Sequence, residues 1–120
     1  MPNALVTGGC GFIASNFINI MHKRYPDITF VNIDKLDYCS NINNVNKGAS
    51  VLFHGSLSNT EFVESVINFY NFDYVFHFAA QSHVDNSFID PISFTMDNTY
   101  GTHVLIEMCR KYIPDAQIIH

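Results

Sequence analysis

The chain has 120 residues, 48% of them hydrophobic and 14% aromatic, enough to bury roughly two-thirds of its unfolded surface in one domain and too apolar for disorder. Its formal net charge is −5, with six Lys and Arg scattered along it, which excludes the clustered cationic surface that nucleic acid requires. Three cysteines without a CxxC pair are the usage of a reduced, cytoplasmic protein.

Strand and helix patterns alternate along the chain. Residues 3–7, "NALVT", form a short apolar run ended by glycine, which reads as a buried strand. Residues 12–25 follow with Ile13, Phe17, Ile20, Met21 and Arg24 at spacings of three and four, a helix stopped by Pro26. "ITFVNID" (28–34) is a second strand closing on a carboxylate, and the Asn-rich stretch after it predicts no regular element. "SVLFH" (50–54) is a third strand. Ser58 with Glu61 three residues later makes a capping box before Phe62, Val63, Val66, Ile67 and Tyr70 at helical spacing. "DYVFHFAA" (73–80) is the near-continuous apolar run of a central parallel strand. Asp90 and Pro91 stand as N-cap and first residue of a long helix to about Tyr112, ended by Pro114. Residues 116–120 start a fifth strand.

This rhythm predicts βαβ units closed right-handed into a doubly wound parallel sheet, the Rossmann fold, with strand order 3-2-1-4-5. The doublets Lys23-Arg24 and Arg110-Lys111 fall near helix C-termini, where positive charge suits the dipole. No apolar run nears the ~20 residues of a membrane span, and "MPNALVTGG" carries no charged n-region, so no signal peptide is expected. His22 and His77 show no metal-ligand spacing and read as structural, with no metal expected.

The stretch "TGGCGFIA" carries the chemistry. Gly8 and Gly11 supply a tight turn and a close backbone approach to a pyrophosphate, and small Ala14 lets the helix lie on the strand. The N–H groups of Phe12 and Ile13 then face the anion at the positive end of the helix. Asp34, 20 residues after Ala14, ends the second strand, where a carboxylate accepts hydrogen bonds from an adenosine ribose. Its charge repels a 2′-phosphate, so NAD rather than NADP is expected, although neighbouring Lys35 pulls the other way. An exposed strand-end turn residue is the competing reading of Asp34.

With these motifs the sequence resembles the extended short-chain dehydrogenase/reductase family: "TGGCGFIAS" is similar to its nucleotide loop and "HFAAQSHVDNS" (77–87) to its fourth-strand motif. More narrowly, "DKLDYCSN", "AAQSHVDNSF" and "NTYGTHVLIEMCR" resemble nucleotide-sugar 4,6-dehydratases, which act on dTDP-glucose or UDP-glucose; the first two are closer to the UDP-glucose type. The resemblance implies that Gly8, Gly11, Phe12 and Ile13 line the pyrophosphate and that Asp34, Lys35, Leu36 and Asp37 surround the adenosine ribose. It implies that Phe78, Ala79, Ala80, Gln81 and Ser82 run beneath the nicotinamide, that Ser82 also faces the sugar, and that Asp97 approaches the cofactor. Where the family has Gly-Asp-Ile or Gly-Asp-Leu after the third strand, this chain has Gly55-Ser56-Leu57, so a neutral Ser56 takes the place of the carboxylate that meets the adenine amine. In the related enzymes the helix corresponding to 91–112 joins a dimer bundle, which implies a homodimer of the full-length enzyme.

The family reaction oxidises the sugar at C4, eliminates water across C5 and C6 and returns the hydride to C6, using a Tyr-x-x-x-Lys pair and an Asp-Glu pair beyond strand five. None of the six tyrosines has a lysine four residues later, so no catalytic residue is assigned and the chain alone is expected to be inactive. His83 and Asp85 read as loop-shaping residues rather than a catalytic pair. The end on "QIIH" leads to the expectation of a fragment or truncated product: a partial NAD-binding domain over 1–120. A nucleotide-sugar 4-epimerase of the same family, or a non-catalytic binding or assembly module, are the alternatives.

Overall fold

The computed structural model describes residues 2–36, 40–79 and 90–120. In chain order these form β1 (Asn3–Thr7), α1 (Phe12–Arg24), β2 (Thr29–Asp34), a 3-10 turn (Ile42–Asn44), β3 (Val51–His54), α2 (Thr60–Tyr70) and β4 (Tyr74–His77). A continuous helical stretch follows as α3 (Pro91–Thr95), a π turn (Met96–Tyr100) and α4 (Gly101–Tyr112), and β5 (Gln117–Ile119) closes the sequence. All strand pairs are parallel and the order is β3-β2-β1-β4-β5, as expected.

Side chains alternate across the sheet, as the two-residue strand period requires. Leu5, Val31, Ile33 and Val75 face one layer, where Val63, Val66 and Ile67 of α2 and Leu105, Met108 and Cys109 of α4 cover them. Ala4, Val6 and Phe30 face the other, where Ala14 and Ile18 of α1 pack. Each fully buried aliphatic side chain contributes about 1.5–3 kcal/mol relative to exposure.

Three local expectations need correcting. The apolar stripe of α1 faces the sheet only in part: Phe17 and Met21 pack against the core, but Ile13 and Ile20 are 68% and 60% exposed, and Ala14, Ser15 and Ile18 form the buried line. At α2 the N-cap is Asn59, whose side chain accepts the Phe62 N–H, and the helix starts one residue later than the Ser58–Glu61 box implies. Ser58 is instead drawn into a turn with Ser56. The 91–112 helix is interrupted by the π turn, although Asp90 caps it through the Ser93 N–H with Pro91 in the first turn, as read. Among the described residues no helix is long and apolar enough to cross a membrane.

Candidate functional site

The carboxyl edge of the sheet is organised by the loop between β1 and α1. Gly8 takes φ +71°, and a Cβ there would stand 2.8 Å from the Ala79 Cα. Only glycine permits both the left-handed turn and this approach of two backbones. The Gly8 N–H donates to the Ile33 carbonyl at 2.7 Å, and the Gly11 N–H to the Gly8 carbonyl at 3.0 Å. The first bond of α1 runs from the Ser15 N–H to the Gly11 carbonyl, so the N–H groups of Phe12, Ile13 and Ala14 precede every acceptor in their own helix. No acidic side chain occupies that first turn. Bare glycine backbone followed by helix N-terminal donors suits a diphosphate.

The middle of the loop is held from below by Asn32, which the sequence reading did not single out, and by Asp34, which it had assigned to the ribose. The Gly9 N–H donates to Asn32 Oδ1 at 2.8 Å, and a Cβ on Gly9 would overlap the same amide. The Cys10 N–H donates to Asp34 Oδ2 at 2.8 Å, and its carbonyl accepts from the Asn41 N–H and from Asn44 Nδ2. Its thiol accepts from Asn32 Nδ2 at 3.4 Å. Burial and then the Asp34 charge push the Cys10 thiol pKa up, opposed by the Asn32 hydrogen bond. The one available signal was Asn32 itself: a polar residue amid an apolar parallel strand must find partners when buried, and it is fully buried.

Asp34 is 4% exposed and uses both oxygens on backbone, Oδ2 for Cys10 and Oδ1 for the Leu36 N–H at 2.7 Å. It thereby holds Leu36 at φ +57°, a conformation that costs a non-glycine residue about 1–2 kcal/mol. A carboxylate oxygen has a second lone pair, so capacity for ribose hydroxyls remains. Lys35 Nζ lies 3.1 Å from each oxygen of Asp97, joining two expected site residues from the end of β2 and the π turn. Ser56 Oγ is 2.8 Å from Ser58 Oγ and also accepts the Ser58 N–H. The Leu57 side chain belongs to the core.

At the end of β4 the N–H groups of Phe78 and Ala79 each reach Thr7 Oγ1 at 3.1 Å, that of Phe78 shared with the Thr7 carbonyl. The Phe78 ring leans on Phe17 at 5.3 Å. Thus Gly8, Gly11, Phe12, Ile13, Asp34, Lys35, Leu36, Ser56, Phe78, Ala79 and Asp97 lie on the carboxyl side of the sheet or in the helix that borders it. Asp37, Ala80, Gln81 and Ser82, with Cys39, His83 and Asp85, lie outside the described residues. Among those described, no group of three or more His, Cys, Asp or Glu is placed to hold a metal ion.

Residues 5–120 match the family model described as GDP-mannose 4,6 dehydratase. A trifunctional UDP-glucose 4,6-dehydratase/UDP-4-keto-6-deoxy-D-glucose 3,5-epimerase/UDP-4-keto-L-rhamnose-reductase of Arabidopsis thaliana is 45% identical over 122 residues, covering 98% of this chain and 18% of the relative. The dTDP-glucose 4,6-dehydratase of Bacillus anthracis, solved in complex with NAD, superposes with a TM-score of 0.83 at 34% identity, over 98% of this chain and 36% of that one. A UDP-glucose 4-epimerase of Thermotoga maritima, solved with UDP-glucose, gives 0.85 at 31% identity, over 92% and 35%. The chain therefore spans 18–36% of the length of these three proteins.

Proposed function

The chain belongs to the GDP-mannose 4,6 dehydratase family, and from that membership we propose that it is the NAD-binding portion of a dTDP-glucose or UDP-glucose 4,6-dehydratase. The observation that carries the proposal is the cradle: Gly8 in the left-handed region with Ala79 against it, opening onto the unbonded first turn of α1. There the N–H groups of Phe12 and Ile13 bind the diphosphate, helped by the helix dipole. Asp34, already fixed by Cys10 and Leu36, accepts the ribose hydroxyls. Its charge, together with the neutralisation of Lys35 by Asp97, favours an unphosphorylated ribose. The family resemblance assigns Phe78 and Ala79 to the nicotinamide half, together with Ala80, Gln81 and Ser82 outside the described residues, Ser82 also to the sugar.

The chemistry the cofactor supplies is reversible hydride transfer, oxidising the sugar at C4 and returning the hydride at C6 after water is lost across C5 and C6. Residues 1–120 make up a partial cofactor domain, in which none of the tyrosines has a lysine four residues later. Ile92, Met96, Tyr100 and Ile106 are exposed along Pro91–Tyr112, which supports a homodimer built on this helical face. The sparse cysteines, with no CxxC pair, support a cytoplasmic setting.

Calorimetric titration with NAD and NADP tests the cofactor assignment: saturable NAD binding is expected, with NADP weaker. Incubation with NAD and UDP- or dTDP-glucose yields no 4-keto-6-deoxy sugar from this chain, whereas the full-length enzyme forms it. Conversion of UDP-glucose to its C4 epimer by the full-length enzyme would replace the dehydratase assignment with the epimerase one, and a stable oligomer without NAD binding would point to an assembly module.

A further inference from the structure

His77 is buried at the end of β4 and takes no part in the cradle just described, yet every polar atom around it is directional. Thr7 Oγ1 accepts the Phe78 and Ala79 N–H groups, so its own proton is left for His77 Nδ1, 2.6 Å away. At the other ring nitrogen, Thr102 Oγ1 lies 2.8 Å from Nε2 and donates its proton to the Asn98 carbonyl at 3.0 Å. It can therefore only accept from His77. The Thr7 end requires an unprotonated Nδ1 and the Thr102 end a protonated Nε2, which together specify the neutral Nε2–H ring. The result is one ordered chain of donors running from Thr7 of β1 through His77 of β4 to Thr102 of α4 and the Asn98 carbonyl.

We propose that His77 is a positioning residue of the cofactor cradle: held as the Nε2–H tautomer, it ties Thr102 of α4 to Thr7 and through Thr7 clamps the Phe78–Ala79 backbone against the glycine loop. The contact that makes this consequential is steric. Ala79 Cα and N stand where a Gly8 side chain would be, so a shift of the Phe78–Ala79 segment displaces the turn that opens the cradle. The π turn lends the other anchor, because Asn98 lies within it and Asp97 beside it pairs with Lys35. Burial, and then the neighbouring His120 ring, lower the His77 pKa to about 4, which keeps the ring neutral at physiological pH. The effect on the cofactor rests on the NAD reading above; the clamp on the backbone does not.

The test compares His77→Phe, Thr102→Val, the double variant and Thr102→Ser in the 120-residue chain. It reads imidazole nitrogen shifts, amide hydrogen exchange at Phe78 and Ala79, and NAD affinity by calorimetry. The unsubstituted protein is expected to show an unprotonated Nδ1. His77→Phe and Thr102→Val should each speed exchange at Phe78 and Ala79 and weaken NAD by about 3–10-fold, the loss of one to two net hydrogen bonds. The double variant should be no worse than His77→Phe, since both cut one chain, and Thr102→Ser should restore the native values. If His77→Phe does not fold, Thr102→Val, in a half-buried position, carries the comparison with Thr102→Ser. A protonated Nδ1, additive effects, or unchanged exchange at both amides overturns the proposal. No NAD binding by the unsubstituted chain, with the exchange pattern as expected, upholds the clamp and removes the NAD assignment instead.

Discussion

Alanine at Gly8 and alanine at Gly11 should fail in different ways, and the structure says which. At Gly8 the new methyl group meets backbone atoms, Ala79 Cα at 2.8 Å and Ala79 N at 3.0 Å, with φ at +71°. The left-handed strain costs about 1–2 kcal/mol and the overlap, which no side-chain rotation relieves, about 1–3 more. Restricting the unfolded chain returns about 0.4–1 kcal/mol, leaving Gly8→Ala destabilised by roughly 1–5 kcal/mol. For a chain of this length that is a fall in melting temperature of about 10 °C. At Gly11 φ is −76°, an ordinary value, and among the described residues the only neighbour of an added Cβ is the Gly8 carbonyl oxygen at 3.3 Å. Gly11→Ala should therefore melt within a few degrees of the parent, while its methyl group projects into the open cradle and weakens NAD by about tenfold or more, as close backbone approach to the pyrophosphate is lost. Thermal denaturation followed by circular dichroism and NAD titration separate the two. Gly8→Ala melting with the parent, or a folded Gly11→Ala binding NAD undiminished, would refute the assignment of these two glycines.

Stability should also depend on pH through His77. The unfolded ring takes its proton near 6.5 and the native one only at about 4, so the stabilisation is complete above pH ~6.5 and is lost as pH falls toward 4. The shift itself corresponds to about 3 kcal/mol, and solvent screening at the sheet edge reduces this to about 1–2; urea titrations across pH 4–7 should show this slope flattened in His77→Phe. The half-exposed Lys35–Asp97 pair contributes about 0.5–1 kcal/mol, so Asp97→Asn should cost that much in dilute buffer and less in concentrated salt by the same titration. Cys109, pushed by burial to about 11, and Cys10, pushed up by burial and Asp34, should resist alkylation at neutral pH until the chain unfolds. Peptide mapping by mass spectrometry reads this out, and prompt native labelling of either would contradict the packing.

The strand order, the helix positions and the chain turns around the glycine loop were all legible, because long apolar runs alternating with helical periodicity admit few topologies. Errors came where one element had to fit another. The face of α1 was read from its larger hydrophobic residues, yet the buried line runs through Ala14, Ser15 and Ile18, with Phe17 and Met21 at its side and Ile13 and Ile20 turned outward. The α2 cap moved from Ser58 to Asn59 because Ser56 competes for the Ser58 hydroxyl. Both are decisions between neighbours that local propensity cannot weigh.

What the amino-acid sequence determined alone was the alternating pattern, the glycine turn and a carboxylate at the end of β2, since each depends on residues close together in the chain. Only the tertiary structure decided how those parts are held. Asn32 beneath Gly9, Asp34 bonded to Cys10, Lys35 paired with Asp97, and the Thr7–His77–Thr102 chain are contacts between segments brought together by sheet pairing. Their partners are chosen by burial, where an unpaired polar group is too costly to leave, and by distances that no spacing along the chain encodes.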